Sequence, residues 1–305
     1  MEKHRKKLIK NAAVFDGHSS GLAHGKKIVI EDDLVTEITA DEVSEENFDE
    51  VFDGTGMVAM PGMTDAHVHM GCLFAKGEFP VDYATVLTVA KCKDALMAGF
   101  TTFRDAGSVS EGLKLAFDEG VLPGPRIYPC GAYISQTCGH GDSEYAHTYR
   151  DIQYRHPSST VLVDGVPEII RAMREQFYRG ASHIKLMATE ILNRHEDIRL
   201  LFGTDMMITG PDYQVEQSED IRYYEKRFGT MRALRALTGT ANEVFALTTY
   251  QNPYPKGKIG VLEAGSYADL LLVDGDPTKS VSVLADTDHL RLIMKGGTVY
   301  KNTLC

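Results

Sequence analysis

Two hydrophobic rhythms divide the chain. From residue 7 to residue 56 the apolar positions fall in short β-branched runs such as Ile28-Val29-Ile30 and Leu34-Val35-Thr36-Glu37-Ile38, separated by Gly, Asp and Ser. That spacing predicts short antiparallel strands. The C-terminal end reads the same way, with Leu270-Leu271-Leu272-Val273 followed by Leu290-Arg291-Leu292-Ile293-Met294. The two ends are therefore expected to combine into one small β-sandwich, 1–59 together with 246–305. Between them the rhythm changes to alternating helix and strand: helices over 81–98, 111–119 and 167–179, strands over 101–104, 126–133 and 183–187. This alternation predicts parallel βα units in a domain covering 60–245. Gly99 and Gly180 follow predicted helices, where the chain needs a residue that accepts positive φ. The stretch 135–165 is long, polar and rich in Gly and His, and reads as a loop over a functional face.

With 305 residues, 43% hydrophobic and 25% charged, the chain has the composition of a globular protein large enough for one sizeable core or two smaller ones. A net charge of -11 disfavours a nucleic-acid groove or an anionic membrane surface, since both reward clustered Lys and Arg. No run approaches membrane-spanning length and no apolar stretch follows the basic start at 1–10, so a cytoplasmic protein is expected. The five cysteines are odd in number and contain no C-x-x-C pair, which suits reduced thiols better than a disulfide framework.

The candidate chemistry begins at Met60-Pro61-Gly62-Met63-Thr64-Asp65-Ala66-His67-Val68-His69-Met70. Histidines at i and i+2 of a strand point to the same face. Two neutral imidazoles converging there suit Zn²⁺ or a similar borderline cation; otherwise they are two histidines on a polar sheet face. Lys185 ends the apolar run Ser182-His183-Ile184-Lys185-Leu186-Met187, where its charge must be paired, removed, or carried out to solvent along the stem. Asp205 follows Gly203-Thr204 at the end of the apolar stretch from Ile198, either as a strand-end carboxylate or as a helix cap.

Taken in order, several motifs resemble the amidohydrolase superfamily. They are Pro61-Gly62, His67-Val68-His69, Gly99-Phe100-Thr101-Thr102 with Arg104-Asp105, Ile184-Lys185-Leu186-Met187-Ala188, Gly203-Thr204-Asp205 and the closing Gly265-Ser266-Tyr267-Ala268-Asp269-Leu270. Within it, Ser135-Gln136-Thr137-Cys138-Gly139-His140-Gly141-Asp142 is similar to a loop of the prolidase-like, ochratoxinase-like branch. The resemblance implies an α/β fold built on a TIM-like (β/α) barrel, with the chemistry on the C-terminal rim of its strands. It further implies His67 and His69 as metal ligands, Lys185 as an N-carboxylated ligand, Asp205 as ligand and catalytic general base, and His140 as a substrate contact. The implied reaction is metal-assisted hydrolysis of a C–N bond in a small-molecule amide, an N-acyl amino acid or a dipeptide.

The family pattern also calls for two histidines between the lysine and the aspartate. Here the 20 residues from Lys185 to Asp205 contain one, His195. A βα unit needs about 30 residues, so about three units are expected to be missing. The sequence thus predicts an incomplete barrel truncated between Lys185 and Asp205, one divalent metal, Zn²⁺, rather than two, and open edges that favour a homo-oligomer. The competing expectation is a catalytically impaired relative lacking the second metal site.

Overall fold

The computed structural model describes residues 5–70, 81–107, 111–137, 139, 141–142, 160–186, 199–207 and 213–304. The N-terminal strands are β1 (Lys6–Lys10), β2 (Ala13–Val14), β3 (Lys27–Glu31), β4 (Leu34–Thr39), β5 (Glu50–Asp53) and β6 (Val58–Pro61). The middle of the chain supplies β7 (Met63–His69), α1 (Val81–Met97), β8 (Phe100–Asp105), α2 (Glu111–Asp118), β9 (Arg126–Tyr128), β10 (Tyr133–Ser135), β11 (Thr160–Leu162) and α3 (Val166–Tyr178). After these come β12 (Met206–Met207), α4 (Tyr213–Phe228), α5 (Thr230–Leu237) and α6 (Gly239–Phe245), then β13 (Leu270–Val273), β14 (Leu290–Lys295) and β15 (Thr298–Asn302). No described helix is long and apolar enough to cross a membrane.

The chain ends form two mixed sheets, ordered β4-β3-β1-β5 and β15-β14-β13-β6-β2. In β3 the alternation is plain: Ile28 and Ile30 are buried while Lys27, Val29 and Glu31 are only half-buried. These isoleucines, with Ile9 and Phe52, share one apolar core with Leu270, Leu272, Leu292 and Met294 of the other sheet. β13 is buried at all four positions because it is covered on both sides. Leu270 and Leu272 enter that core, whereas Leu271 and Val273 enter the larger one beneath the middle of the chain. A continuous apolar run is what a strand buried on both faces requires.

In the middle region, parallel strands are ordered β12-β7-β8-β9, and β10 pairs in parallel with β11. Phe100, Phe103, Phe202, Ile127 and Leu234 fill their core. Gly99 and Gly180 take φ of 89° and 92° just after α1 and α3, as the helix-ending pattern predicts. The strand expected over 126–133 is divided: Pro129 lacks an N–H for the ladder and Gly131 has φ 70°, so pairing stops at Tyr128 and resumes at Tyr133. The strand expected over 183–187 is reduced to a bridge between Ile134 and Leu186, supported by Ile134 N–H to the Lys185 carbonyl, with Met187 outside the described residues. The apolar stretch ending at Asp205 is likewise looser than expected. It follows β7 through Ala66 N–H to the Phe202 carbonyl and Asp205 N–H to the His67 carbonyl, and forms a ladder only at β12. Closure of the parallel strands into a ring is not seen among the described residues.

One contact ties the two regions firmly. Arg126 of β9 makes a two-pronged ion pair with Asp269, at 2.7 and 3.1 Å, and Asp269 also accepts from Gly296 N–H. The guanidinium lies 3.8 Å from the centre of the Tyr267 ring. Burial disfavours the Arg126 charge, but the buried Asp269 carboxylate outweighs it and holds the pKa above its ordinary value.

Candidate metal centre

At the C-terminal end of β7, the alternation of the strand turns His67 and His69 to one side, their ring centres 5.3 Å apart. The Asp205 carboxylate arrives from the neighbouring stretch, its Oδ1 3.1 Å from His67 Nε2 and 3.3 Å from His69 Nε2. All three donor atoms lie within 4.8 Å of one another, the one such group of His, Cys, Asp or Glu found among the described residues. His69 is buried, His67 half-buried, and the Asp205 side chain is 71% exposed, so the cluster opens to solvent on the carboxylate side.

This donor set fits a divalent cation. Bonds of about 2 Å in tetrahedral geometry separate neighbouring donors by roughly 3.3 Å, close to the two distances from the Asp205 oxygen. Two imidazole nitrogens and one carboxylate oxygen also match the catalytic pattern of three protein ligands with one position left for water. A single cation satisfies contacts that otherwise each need a proton. Burial, followed by the nearby Lys185 charge, pushes the His67 pKa well below its ordinary value despite the opposing pull of Asp205, which keeps the ring neutral and its lone pair available.

The backbone at Asp205 is strained into place. Its φ is 55°, in the left-handed region that costs a non-glycine residue about 1–3 kcal/mol. The 2.7 Å bond from its N–H to the His67 carbonyl holds it there. Two positions earlier, Gly203 passes so close to β7 that a Cβ would stand 2.7 Å from the Cβ of His67. Between them Thr204 is fastened by Asp65, which accepts its hydroxyl at 2.8 Å and its N–H at 3.3 Å. Asp65 also accepts from the His67 N–H and from Gln217 Nε2 of α4. Burial raises the Asp65 pKa to about 6, against the lowering effect of those donors.

Lys185 enters the same cluster, its Nζ 2.9 Å from His67 Nε2, and burial lowers its pKa. Thus the His67–His69 pair, Lys185 and Asp205, from three separate stretches of the sequence, meet at one place. His140 and His195 lie outside the described residues. Of the cysteines, Cys92 and Cys130 are buried and free, burial raising both thiol pKa values, while Cys72, Cys138 and Cys305 also lie outside the described residues. Sequence reasoning missed Asp65 as the tie between the two ligand-bearing segments. Its only signal was an acidic residue two positions before His67 in an otherwise apolar run.

Comparison with known proteins agrees with this geometry. Residues 58–198 match the amidohydrolase family. Ochratoxinase of Aspergillus niger is 33% identical over 152 residues, covering 43% of this chain but only 31% of that enzyme's length. Among solved structures, an amidohydrolase superposes with a TM-score of 0.83 at 23% identity, covering 98% of this chain and 100% of its own. A prolidase complexed with N-methylphosphonate-L-proline gives 0.82 at 22% identity, covering 97% and 100%. These likenesses show the amidohydrolase fold. They also correct one expectation: the short interval between Lys185 and Asp205 suggested the loss of about three barrel units, whereas matches that run end to end through both chains argue against so large a deletion. Residues 58–198 thus resemble the amidohydrolase family, part of the chain resembles ochratoxinase, and the fold as a whole is that of solved amidohydrolases and prolidases.

Proposed function

We propose that the protein hydrolyses the C–N bond of a small amide, an N-acyl amino acid or a dipeptide, at the cluster of His67, His69 and Asp205. The observation that carries this reading is the convergence of two Nε2 atoms on one Asp205 oxygen at 3.1 and 3.3 Å. The names of ochratoxinase and of the prolidase support the substrate class. His67 and His69 would hold the cation as neutral imidazoles, with Asp205 as the third ligand and Zn²⁺ as the ion best suited to this donor set. When bound, such a cation polarises a carbonyl and acidifies water. Asp205, exposed on the open side, takes a proton from the attacking water and returns it to the leaving nitrogen.

Lys185 supports the same reading. As an amine it sits against His67 Nε2 in a site that already disfavours its charge. N-carboxylation would replace that amine with an anionic oxygen donor at the same place and relieve the desolvation penalty.

The test is metal content followed by turnover. Purified protein should bind about one equivalent of Zn²⁺, as a site with three protein ligands requires, and should release amino acid from a panel of N-acyl amino acids and dipeptides. His67→Ala and Asp205→Asn should lose both properties while keeping the melting temperature. Stoichiometric metal without turnover of any panel member would indicate an impaired relative. Turnover indifferent to His67→Ala would sink the assignment.

A further inference from the structure

A cavity of about 310 Å³ is lined by none of the metal cluster's ligands. Its lining combines the polar side chains of Arg104, Ser182, His183 and Thr248 with the apolar ones of Phe245 and Leu247. Arg104 is partly buried and forms no direct ion pair among the described residues, although the Asp105 carboxylate is near enough to favour its charge. One of its nitrogens donates to the Ala66 carbonyl at 3.2 Å. The neighbouring Asp105 carboxylate accepts from Met70 N–H and Gly107 N–H. A guanidinium out of water without a directly paired counter-ion is costly, and it presents a rigid fork of donors that matches a carboxylate.

Two further polar groups line the same cavity. Ser182 Oγ donates to the Pro129 carbonyl at 3.0 Å and can accept from His183 Nδ1, also at 3.0 Å, which leaves the His183 Nε2 lone pair as an acceptor. His183 Nε2 is buried and makes no close hydrogen bond among the described residues, although the Asp105 backbone still acts on the ring. In the same lining, the Phe245 ring stacks on Tyr128 with centres 3.8 Å apart, giving the cavity a flat, firm wall, and Leu247, 67% exposed, lines it from the solvent side. A cationic group, hydrogen-bonding groups and a flat apolar wall around one cavity are what a small organic acid requires.

We propose that this cavity is a second ligand site, separate from the metal cluster, for a small organic monocarboxylate whose acid group pairs with Arg104 and whose apolar body lies against Phe245 and Leu247. The site does not depend on the metal reading, and its test is independent of it. Calorimetric titration of the full chain, treated with chelator, with benzoate, phenylacetate and isovalerate should show saturable binding of at least one of them. Benzamide, of the same shape without the charge, should bind at least about tenfold more weakly.

Arg104→Gln should weaken carboxylate binding by at least about tenfold, and His67→Ala should leave it unchanged. Because loss of Arg104 can disturb folding, Leu247→Trp provides the second variant. It fills the cavity from an exposed position and should abolish binding with the melting temperature unaltered. No saturable binding of any of the three acids, binding indifferent to both Arg104→Gln and Leu247→Trp, or binding lost in His67→Ala would each overturn the proposal.

Discussion

The paired terminal sheets and the rim around His67 are built on opposite terms. In the sheets, stability comes from many similar contacts: isoleucines and leucines at or below 6% exposure, on strands whose ladders keep pairing through local bulges. At the rim it comes from a few dissimilar ones: a left-handed aspartate, a buried carboxyl holding Thr204, a glycine pressed against His67 and a lysine against an imidazole. The sheets can lose a contact and keep their shape, because dispersion and burial are spread over the whole interface. The rim cannot, since each group there has its own partner and a fixed direction. Strain and costly burial concentrate where donors must be aimed, and the regular sheets offset them.

The strongest test of this division strikes the clamp between the two regions. Arg126→Met leaves the Asp269 carboxylate buried, its side chain 2% exposed, without its cation. Urea unfolding should show a loss of about 3–5 kcal/mol, and the double variant Arg126→Met/Asp269→Leu should recover most of it. If the single variant costs no more than a surface pair, the regions are held by apolar contact alone.

A smaller and more local effect is expected at Gly203. A methyl group there must push the 203–205 segment away from His67, withdrawing the Asp205 carboxylate from the two imidazoles. Metal affinity of Gly203→Ala should fall about 10–100-fold, the size seen when a ligand loses its support, with urea unfolding little changed. Unaltered affinity would show that the rim tolerates displacement as the sheets do.

The smallest effect concerns Glu225 of α4, which receives Val281 N–H, Ser282 N–H and the hydroxyls of Thr230, Ser280 and Ser282. Burial raises its pKa, but these donors outweigh it and hold the folded value below 4.5. Its stabilising contribution is therefore complete above the unfolded value of 4.5 and is lost as pH falls through the lower folded value. Glu225→Gln should remove that acid-side slope from the unfolding profile, an effect on the order of 1 kcal/mol. A profile that keeps the slope would move its origin to other carboxylates.

Much of this was legible in the residues. Short β-rich runs separated by Gly, Asp and Ser at both chain ends announced sheets there, whereas the burial of Leu270-Leu271-Leu272-Val273 on both faces emerged only from the structure. The i, i+2 spacing of His67 and His69 follows directly from strand geometry. What could not be read was set by partners distant in sequence. Nothing beside Asp65 tells that Thr204, 139 positions later, will take its carboxylate. That Arg104 forms no direct ion pair among the described residues depends on backbone donors that take the Asp105 carboxylate. The breaks at Pro129 and before β12 were missed because apolar content was read as ladder pairing, although proline lacks the needed donor and the 203–205 backbone is diverted to place Asp205.

The strand order β12-β7-β8-β9 brings a late stretch of the chain alongside the first strand of the core. A nascent polypeptide carrying both imidazoles therefore has no carboxylate to complete the cluster until its later portion has emerged and docked. At the proposed metal site, cation uptake would report on finished assembly, and a ribosome-bound fragment ending before residue 205 would hold the ion no better than a loose pair of histidines.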